Sequence, residues 1–133
     1  MAAQFAPYRV KCFMAKILVV DDEPLTVDML TTFLTLIGHQ SIGAFSGRQT
    51  WDKLLYEEPD AVLLDIMLPD EDGLDICRRL RAEPRTSQLP IIMISAYSPP
   101  KLKEAEAAGA NGYLIKPIKL NDLKAALERV GVR

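Results

Sequence analysis

The stretch Ala61-Val62-Leu63-Leu64-Asp65 joins four apolar residues directly to a carboxylate. A short continuous apolar run with turn-forming residues on both sides is typical of a strand that is buried on both faces of a parallel sheet. We therefore predict a central strand that ends at Asp65. Its side chain would lie at the carboxyl edge of the sheet, where open α/β sheets bind their ligands.

Composition places the chain among single-domain globular proteins. Of its 133 residues, 49% are hydrophobic and 26% are charged, and the formal net charge is −2. Such a charge gives no general attraction to nucleic acid or to an anionic membrane, and no apolar run approaches the roughly 18 residues of a membrane span. The two cysteines, Cys12 and Cys77, are far apart and have no partners at metal-ligand spacing. We expect a cytoplasmic protein that contacts neither a membrane nor nucleic acid directly.

Residues 1–15 lie outside the pattern that the rest of the chain repeats, and they lack the charged start and apolar centre of a signal peptide. We predict an N-terminal tail over 1–15 and one domain over 16–131. Within that domain, a short apolar run, a loop and a helical period follow one another five times. The runs lie near residues 17–20, 39–45, 61–64, 91–94 and 113–115.

Alternation of strand and helix predicts an α/β fold with a parallel sheet and helices on both faces. Because crossovers between parallel strands are right-handed, few arrangements remain. We predict a flavodoxin-like (βα)5 fold, which is a doubly wound parallel five-stranded sheet in the order 2-1-3-4-5. This order places the first and third strands side by side, at the point where the winding reverses.

Cap signals predict where several helices begin. Ser46 and Gln49 form a capping box for the second helix, and Asp72 can cap the third. Ser98 followed by Pro99 predicts the start of the fourth helix, which is rich in alanine and has little large apolar surface. We expect that helix to be the least firmly anchored one.

Several side chains away from the strand ends have structural interpretations. His39 is the only histidine and is expected at the surface. Cys77 falls on an apolar helix face and is expected in the core. Arg78, Arg79 and Arg81 are expected to form a solvated helix face.

The predicted strands end in residues that carry chemistry, namely Asp21 and Asp22, Asp65, Ser95 and Lys116. The ends of parallel strands share one edge of the sheet, so the fold should bring these side chains together. Close carboxylates repel one another, and at least one pKa should rise unless a cation is present. Carboxylate oxygens suit Mg²⁺, and a nearby ammonium and hydroxyl would complete a cradle for a phosphoryl group. An aspartate can then act as the nucleophile.

Each of these residues also has an ordinary structural interpretation. Asp21 and Asp22 could simply cap the first helix, Lys116 could be a solvated lysine at a strand end, and Ser95 could be a turn residue. Their expected convergence at one edge favours the chemical interpretation.

Four segments in this order resemble the receiver domains of two-component response regulators. They read ILVVDDEP at 17–24, LLDIMLP at 63–69 with DG at 72–73, SA at 95–96, and GA at 109–110 leading through Tyr113 to KP at 116–117. The resemblance spans residues 16–130, nearly the whole chain. It implies a single-domain, CheY-like phosphoacceptor in signalling rather than an enzyme, although such domains assist their own phosphoryl transfer and dephosphorylation.

The resemblance implies a role for each member of the site. Asp65 is the expected phosphoacceptor. Asp21 and Asp22 are expected to hold Mg²⁺ together with Asp65 and the backbone carbonyl of Met67. Lys116 is expected to pair with the phosphoryl group, and the bond from Lys116 to the proline that follows is expected to be cis.

Ser95 and Tyr113 resemble the switch hydroxyl and the switch aromatic of the family. The implied donor is a histidine kinase or a phosphotransfer protein, and the implied output is a downstream protein partner that binds helix 4, strand 5 and helix 5. Phosphorylation adds about −1.5 to −2 charge at Asp65, which can bias a bistable element. Tyr97, two residues after Ser95, could shield the phosphoryl group from water and slow its hydrolysis.

Two other functions stay open. One is a Mg²⁺-dependent phosphatase with an aspartyl-phosphate intermediate, but such enzymes place a second acid two residues after the nucleophile, where this chain has Met67. The other is a receiver-like scaffold that switches without phosphate. Asp70, Glu71 and Asp72 make the loop after Asp65 unusually acidic, which would favour a metal or repel an acidic donor.

Overall fold

The computed structural model describes residues 15–132, so the predicted tail lies outside the described residues except for Ala15. Within residues 15–132, five strands alternate with five helices, as the sequence predicts. The strands are β1 (Lys16–Val20), β2 (Gln40–Ala44), β3 (Ala61–Asp65), β4 (Ile91–Ser95) and β5 (Gly112–Ile115). The helices are α1 (Pro24–Leu36), α2 (Gly47–Glu57), α3 (Gly73–Ala82), α4 (Leu102–Ala108) and α5 (Leu120–Arg129). None of the helices in the described range has the length and hydropathy that crossing a bilayer requires.

The sheet is parallel throughout and has the order β2-β1-β3-β4-β5, which confirms the predicted doubly wound fold. Val20 pairs with Leu64 across β1 and β3, and Asp65 pairs with Ile94 across β3 and β4. This register brings the carboxyl ends of the three central strands level with one another. Residues that follow those ends therefore meet at one edge.

Two apolar layers form the core, one on each face of the sheet. All five residues of β3 are buried, as expected for a strand covered on both sides. Helices α1 and α5 cover one face, and α2, α3 and α4 cover the other. Leu63 and Leu64 of β3 are fully buried, and burying one such side chain contributes about 1.5–3 kcal/mol to the free energy of unfolding. The central strands are therefore the best-anchored part of the sheet.

The predicted caps of the second and third helices are confirmed. Ser46 Oγ accepts a hydrogen bond from the Gln49 amide at 3.1 Å, and Asp72 Oδ1 accepts one from the Leu74 amide at 2.9 Å. The Gln49 side chain binds the amide of Phe45, one residue earlier than a capping box would place it.

The predicted start of the fourth helix is wrong. Helix α4 begins at Leu102, three residues after Pro99. A residue that precedes a proline is disfavoured in helical conformation, and Pro100 imposes this restriction on Pro99. The Lys101 amide then donates to the Tyr113 hydroxyl at 3.0 Å. The segment before α4 is therefore tied to β5 instead of adding a turn to the helix.

The expected surface position of His39 is also wrong, since only 5% of the residue is exposed. Its Nδ1 accepts a hydrogen bond from the Ala15 amide at 3.3 Å, just before β1. Burial lowers the pKa of the imidazole, and the nearby Asp60 carboxylate opposes that shift. His39 therefore serves the start of β1 as a neutral acceptor.

The expected solvated arginine face is confirmed for Arg78 and Arg79, which are exposed, and wrong for Arg81. Arg81 is half-buried, and its Nε donates to the Gly109 carbonyl at 2.8 Å. Its Nη2 also donates to Asn111 Oδ1 at 2.6 Å. These partners lie about thirty residues along the chain, so helical periodicity cannot reveal them.

Asn111 extends this arginine contact to the sheet. The side-chain Oδ1 of Asn111 accepts a second hydrogen bond, from the Ile91 backbone amide, at 2.9 Å. The backbone amide of Asn111 donates to the Ile91 carbonyl at 2.7 Å. The starts of β4 and β5 are thus joined through Asn111 and Arg81. Cys77 is fully buried on the neighbouring face of α3, as expected.

Replacing Gly73 with alanine should strongly destabilise the fold. A Cβ at this position would lie 2.0 Å from the Asp65 carbonyl oxygen and 2.8 Å from Ile66 Cα, and both are backbone atoms. We expect Gly73→Ala to lower the free energy of unfolding by about 3 kcal/mol or more in urea denaturation. As a control, Gly112→Ala meets only the Ile92 side chain at 3.3 Å, and we expect a change below about 1 kcal/mol. Equal losses would contradict the steric argument.

Candidate functional site

The carboxyl edge of the sheet carries the candidate site. Asp65 and Ser95 are the last residues of β3 and β4, while Asp21 and Lys116 directly follow β1 and β5. One carboxylate oxygen from each of Asp21, Asp22 and Asp65 lies within 4.8 Å of the others. The structure therefore brings together the three acids that the sequence analysis selected, with Lys116 among them.

The three acids differ in burial. Asp21 and Asp65 are almost completely buried, with 0% and 3% exposure, whereas Asp22 is exposed. Each buried acid uses one oxygen locally: Asp21 Oδ1 accepts from the Glu23 amide at 2.9 Å, and Asp65 Oδ1 accepts from the Met67 amide at 3.1 Å. Both side chains are held by the first turn of the loop that follows their strand.

The remaining oxygens face one ammonium group. Lys116 Nζ lies 2.5 Å from Asp21 Oδ2 and 3.1 Å from Asp65 Oδ2. The contact with Asp65 is a hydrogen bond, but the one with Asp21 is a close ion pair without hydrogen-bond geometry. Asp21 Oδ2 is consequently a buried oxygen without a hydrogen-bond donor among residues 15–132. Such an oxygen is a suitable ligand for a cation.

Burial and charge shift the pKa values of the central pair. The pKa of Asp65 is raised from 3.8 to about 6, mainly because the carboxyl is buried and to a smaller extent because of the Asp21 charge. The Met67 amide and the Lys116 ammonium oppose this shift. Burial alone would lower the pKa of Lys116, but its contacts with Asp21 and Asp65 outweigh that effect and the pKa is raised. Lys116 is therefore charged throughout the neutral range.

The donor set fits Mg²⁺. Magnesium prefers oxygen ligands, uses one or two carboxylates and keeps several waters. Asp21 and Asp65 are the buried carboxylates of the cluster, and Asp22 is the exposed one. Asp22 could therefore contact an ion that keeps some of its waters on the solvent side. Met67 follows Asp65 closely, and its side chain points to solvent with 58% exposure. Its backbone carbonyl stays a predicted ligand.

The two predicted switch residues lie beside the acids rather than among them. Ser95 is buried, and its Oγ accepts from the Tyr97 amide at 3.0 Å. The Lys116 amide donates to the Ser95 carbonyl at 2.9 Å, so the two residues are linked through the backbone. Tyr113 is half-buried against the core layer that α3 and α4 cover. Its hydroxyl accepts a hydrogen bond from the Lys101 backbone amide. The bond from Lys116 to the next proline is cis, as expected.

The acidic loop after Asp65 has a role that sequence reasoning missed. Asp70 accepts hydrogen bonds from two amides at the start of α2, and Glu71 accepts one from the Trp51 indole. Both side chains are directed at α2 rather than at a metal or a donor. These contacts join residues 20 to 23 positions apart, so no local pattern could have revealed them.

Comparison with known proteins agrees with the fold. Residues 17–128 match the response regulator receiver domain family. The chain is 33% identical over 113 residues to the DNA-binding dual master transcriptional regulator RpaA of Synechocystis sp., a match that covers 84% of this chain and 47% of that regulator. The chain spans about half the length of the curated relatives it matches.

Two solved structures have the same fold. The chemotaxis response regulator CheY4 of Vibrio cholerae is 30% identical with a TM-score of 0.81, over 88% of this chain and 98% of that structure. The receiver domain of the sensor histidine kinase PA1611 from Pseudomonas aeruginosa PAO1 is 29% identical with a TM-score of 0.78 and the same coverage. That structure has a magnesium ion coordinated in its active site cleft.

A doubly wound parallel sheet with three acids and a lysine at its carboxyl edge defines a receiver-type α/β protein. The family match over most of the chain agrees with that class. The chain belongs to the response regulator receiver domain family of two-component systems.

Replacing Asp65 with asparagine should stabilise the metal-free protein at neutral pH. The folded pKa of about 6 lies above the ordinary 3.8, so the contribution of this group to stability is complete below about pH 4 and is lost as the pH rises through 6. A neutral amide avoids the cost of the buried charge. We expect a gain on the order of 1–3 kcal/mol at pH 7.5 in EDTA, which disappears near pH 4.

Urea denaturation of Asp65→Asn and wild type across this pH range measures the effect. Asp22→Asn, which changes an exposed acid of the same cluster, is the matched control and should give a smaller gain. An Asp65→Asn protein that is less stable than wild type at pH 7.5 would contradict the assignment of an elevated pKa.

Proposed function

We propose that this chain is the phosphoacceptor receiver of a two-component phosphorelay. It accepts a phosphoryl group on Asp65 from a histidine kinase or a phosphotransfer protein, with Mg²⁺ bound by Asp21, Asp22, Asp65 and the Met67 carbonyl. The observation that carries the proposal is the position of Lys116 Nζ, which contacts Asp21 and Asp65 at the solvent-reached edge of the sheet. We assign the receiver domain to residues 16–131 and place the protein in the cytoplasm.

The transfer step follows from the arrangement of the acids. An ionised Asp65 oxygen attacks the phosphorus atom of a phosphohistidine, a new O–P bond forms and the P–N bond breaks. The electron pair of that bond returns to the imidazole of the donor, which takes up a proton. When bound, Mg²⁺ neutralises charge on the phosphoryl oxygens. Lys116 supplies the second positive charge and holds Asp65 by a hydrogen bond at 3.1 Å.

Switching depends on the residues next to the acids. Ser95 Oγ now accepts from the Tyr97 amide, and a phosphoryl group on Asp65 offers strong acceptor oxygens to the same hydroxyl. The segment from Ser95 to Lys101 leads into α4, and the Lys101 amide donates a hydrogen bond to the Tyr113 hydroxyl. A movement of Ser95 would therefore be transmitted along this segment to Tyr113. The proposed output surface is formed by α4, β5 and α5, where Ile115 is 54% exposed. A protein partner would bind there.

The proposal describes a signalling protein rather than an enzyme. RpaA is a DNA-binding transcriptional regulator, and this chain matches about half of it. We propose that any effect of this receiver on nucleic acid passes through a partner, consistent with its net charge of −2. The position two residues after Asp65 carries Met67 rather than the second acid of aspartyl-phosphate phosphatases, so phosphatase chemistry is the less favoured alternative.

Phosphoryl labelling tests the proposal directly. With acetyl phosphate and Mg²⁺, we expect intact-mass spectrometry to show one added phosphoryl group on the wild type, lost when EDTA is present. Asp65→Asn should abolish the added mass because the nucleophilic oxygen is replaced by an amide. Asp52→Asn, an exposed acid on α2, should label normally. Labelling that persists in Asp65→Asn would overturn the assignment of the phosphoacceptor.

Replacing Lys116 with alanine should separate labelling from switching. The variant keeps the three acids and should still accept a phosphoryl group, but it lacks the ammonium that links Asp65 to the end of β5, the strand that contains Tyr113. We expect amide hydrogen exchange in α4 and β5 to respond to acetyl phosphate at least about fivefold less than in wild type. Lys119→Ala, an exposed lysine nearby, is the control. An unchanged response in Lys116→Ala would remove Lys116 from the switch.

A further inference from the structure

We infer that Asp70 and Glu71 are positioning residues that tie the loop carrying Met67 to helix α2, and that this tie sets how well the site holds Mg²⁺. We call the contacts of these two acids with α2 the loop tether. The inference rests on the proposed function, because it concerns the ligand that the Met67 carbonyl would provide.

The loop between β3 and α3 is closed at its base and extended at its tip. Met67 pairs with Asp72 in an antiparallel bridge, and the Gly73 amide donates to the Ile66 carbonyl at 2.7 Å. The Met67 amide is bonded to Asp65. The tip of the loop is therefore held to Met67 by a short paired segment. A displacement of the tip would move the predicted metal ligand.

Asp70 ties the tip to the start of α2. Its Oδ1 accepts from the Gly47 amide at 2.8 Å, and its Oδ2 accepts from the Arg48 amide at 3.1 Å. Amides in the first turn of a helix have no partner within the helix, and Ser46 satisfies the next one. These bonds hold the pKa of Asp70 below its ordinary value. The cap of α2 is thus completed by a side chain from another element.

Glu71 ties the tip to the first two turns of α2 and to α3. Its Oε2 accepts from Trp51 Nε1 at 3.0 Å, and its Oε1 accepts from Arg79 Nη1 at 3.0 Å. The Arg79 guanidinium lies 4.4 Å from the centre of the Trp51 ring. Hydrogen bonds to a carboxylate are roughly twice as strong as neutral ones, so this group resists movement of the tip.

Gly47 shows how closely Glu71 approaches the helix. A Cβ at position 47 would lie 2.6 Å from Glu71 Oε2 and 2.9 Å from its Cγ. The approach requires a residue without a side chain at the first position of α2. Replacing Gly47 would displace the far end of Glu71 without changing any charge.

Two uncharged substitutions test the loop tether without altering the electric field at the metal site. Trp51→Phe removes the indole donor but keeps a ring beneath Arg79, and Gly47→Ala displaces the acceptor while leaving a residue that favours helix. We expect each variant to bind Mg²⁺ roughly threefold to tenfold more weakly than wild type in calorimetric titration with MgCl₂, because groups that orient a metal ligand affect affinity on this scale or more.

Leu54→Ala is the matched control. Leu54 is half-buried on α2 and packs against the same core layer, so its truncation loosens the helix without touching Glu71. If both test variants bind Mg²⁺ as tightly as wild type, or if Leu54→Ala weakens binding equally, the inference is overturned.

A metal-free measurement separates this inference from the proposed function. Amide hydrogen exchange of residues 67–71 in EDTA should be faster in Trp51→Phe and Gly47→Ala than in wild type or Leu54→Ala. If wild type does not bind Mg²⁺, the proposed function fails, and the exchange rates alone decide the tether. Equal exchange in all four proteins would then show that the loop is not held by α2.

Discussion

The ion pairs of Lys116 with Asp21 and Asp65 are the interaction on which the rest of the site depends. Two carboxylates are buried at the end of the sheet, and an unpaired charge in such a position costs far more than a surface charge. The ammonium lies between strands β1, β3 and β5, so it joins elements that come from the start, middle and end of the domain. Removing the lysine leaves both buried acids uncompensated, whereas removing one acid leaves the ammonium paired with the other.

One positive charge is not enough for three acids. Burial is the main cause of the raised pKa of Asp65, and the neighbouring Asp21 charge adds to it. A divalent cation would correct this deficit of positive charge, and under the proposed function a phosphoryl group on Asp65 would change the balance again. The proposed function requires such a site to accommodate more than one charge state. This is a general requirement for a signalling site that is loaded and unloaded repeatedly.

The sequence patterns predicted correctly those features that depend on residues close together in the chain. The apolar runs gave the five strands, right-handed crossovers gave their order, and the register then fixed Asp65 beside Asp21 and Lys116. Predictions were wrong where a distant partner decides the outcome. His39 is buried and accepts a hydrogen bond from the Ala15 amide, and the segment before α4 is held by the Lys101 amide, which donates to the Tyr113 hydroxyl. The acids at 70 and 71 are turned toward α2 by contacts that no periodicity encodes.

Arg81 and Asn111 hold one edge of the sheet by side-chain hydrogen bonds. They clamp the starts of β4 and β5 at the amino edge of the sheet, opposite the acids. The other ends of the same strands carry Ser95 and lead to Lys116. Each of these strands thus has one end fixed by an arginine and an asparagine and the other end beside the reactive groups. If Asp65 is phosphorylated as proposed, a rearrangement would begin at the carboxyl edge and would leave the contacts of Arg81 and Asn111 in place.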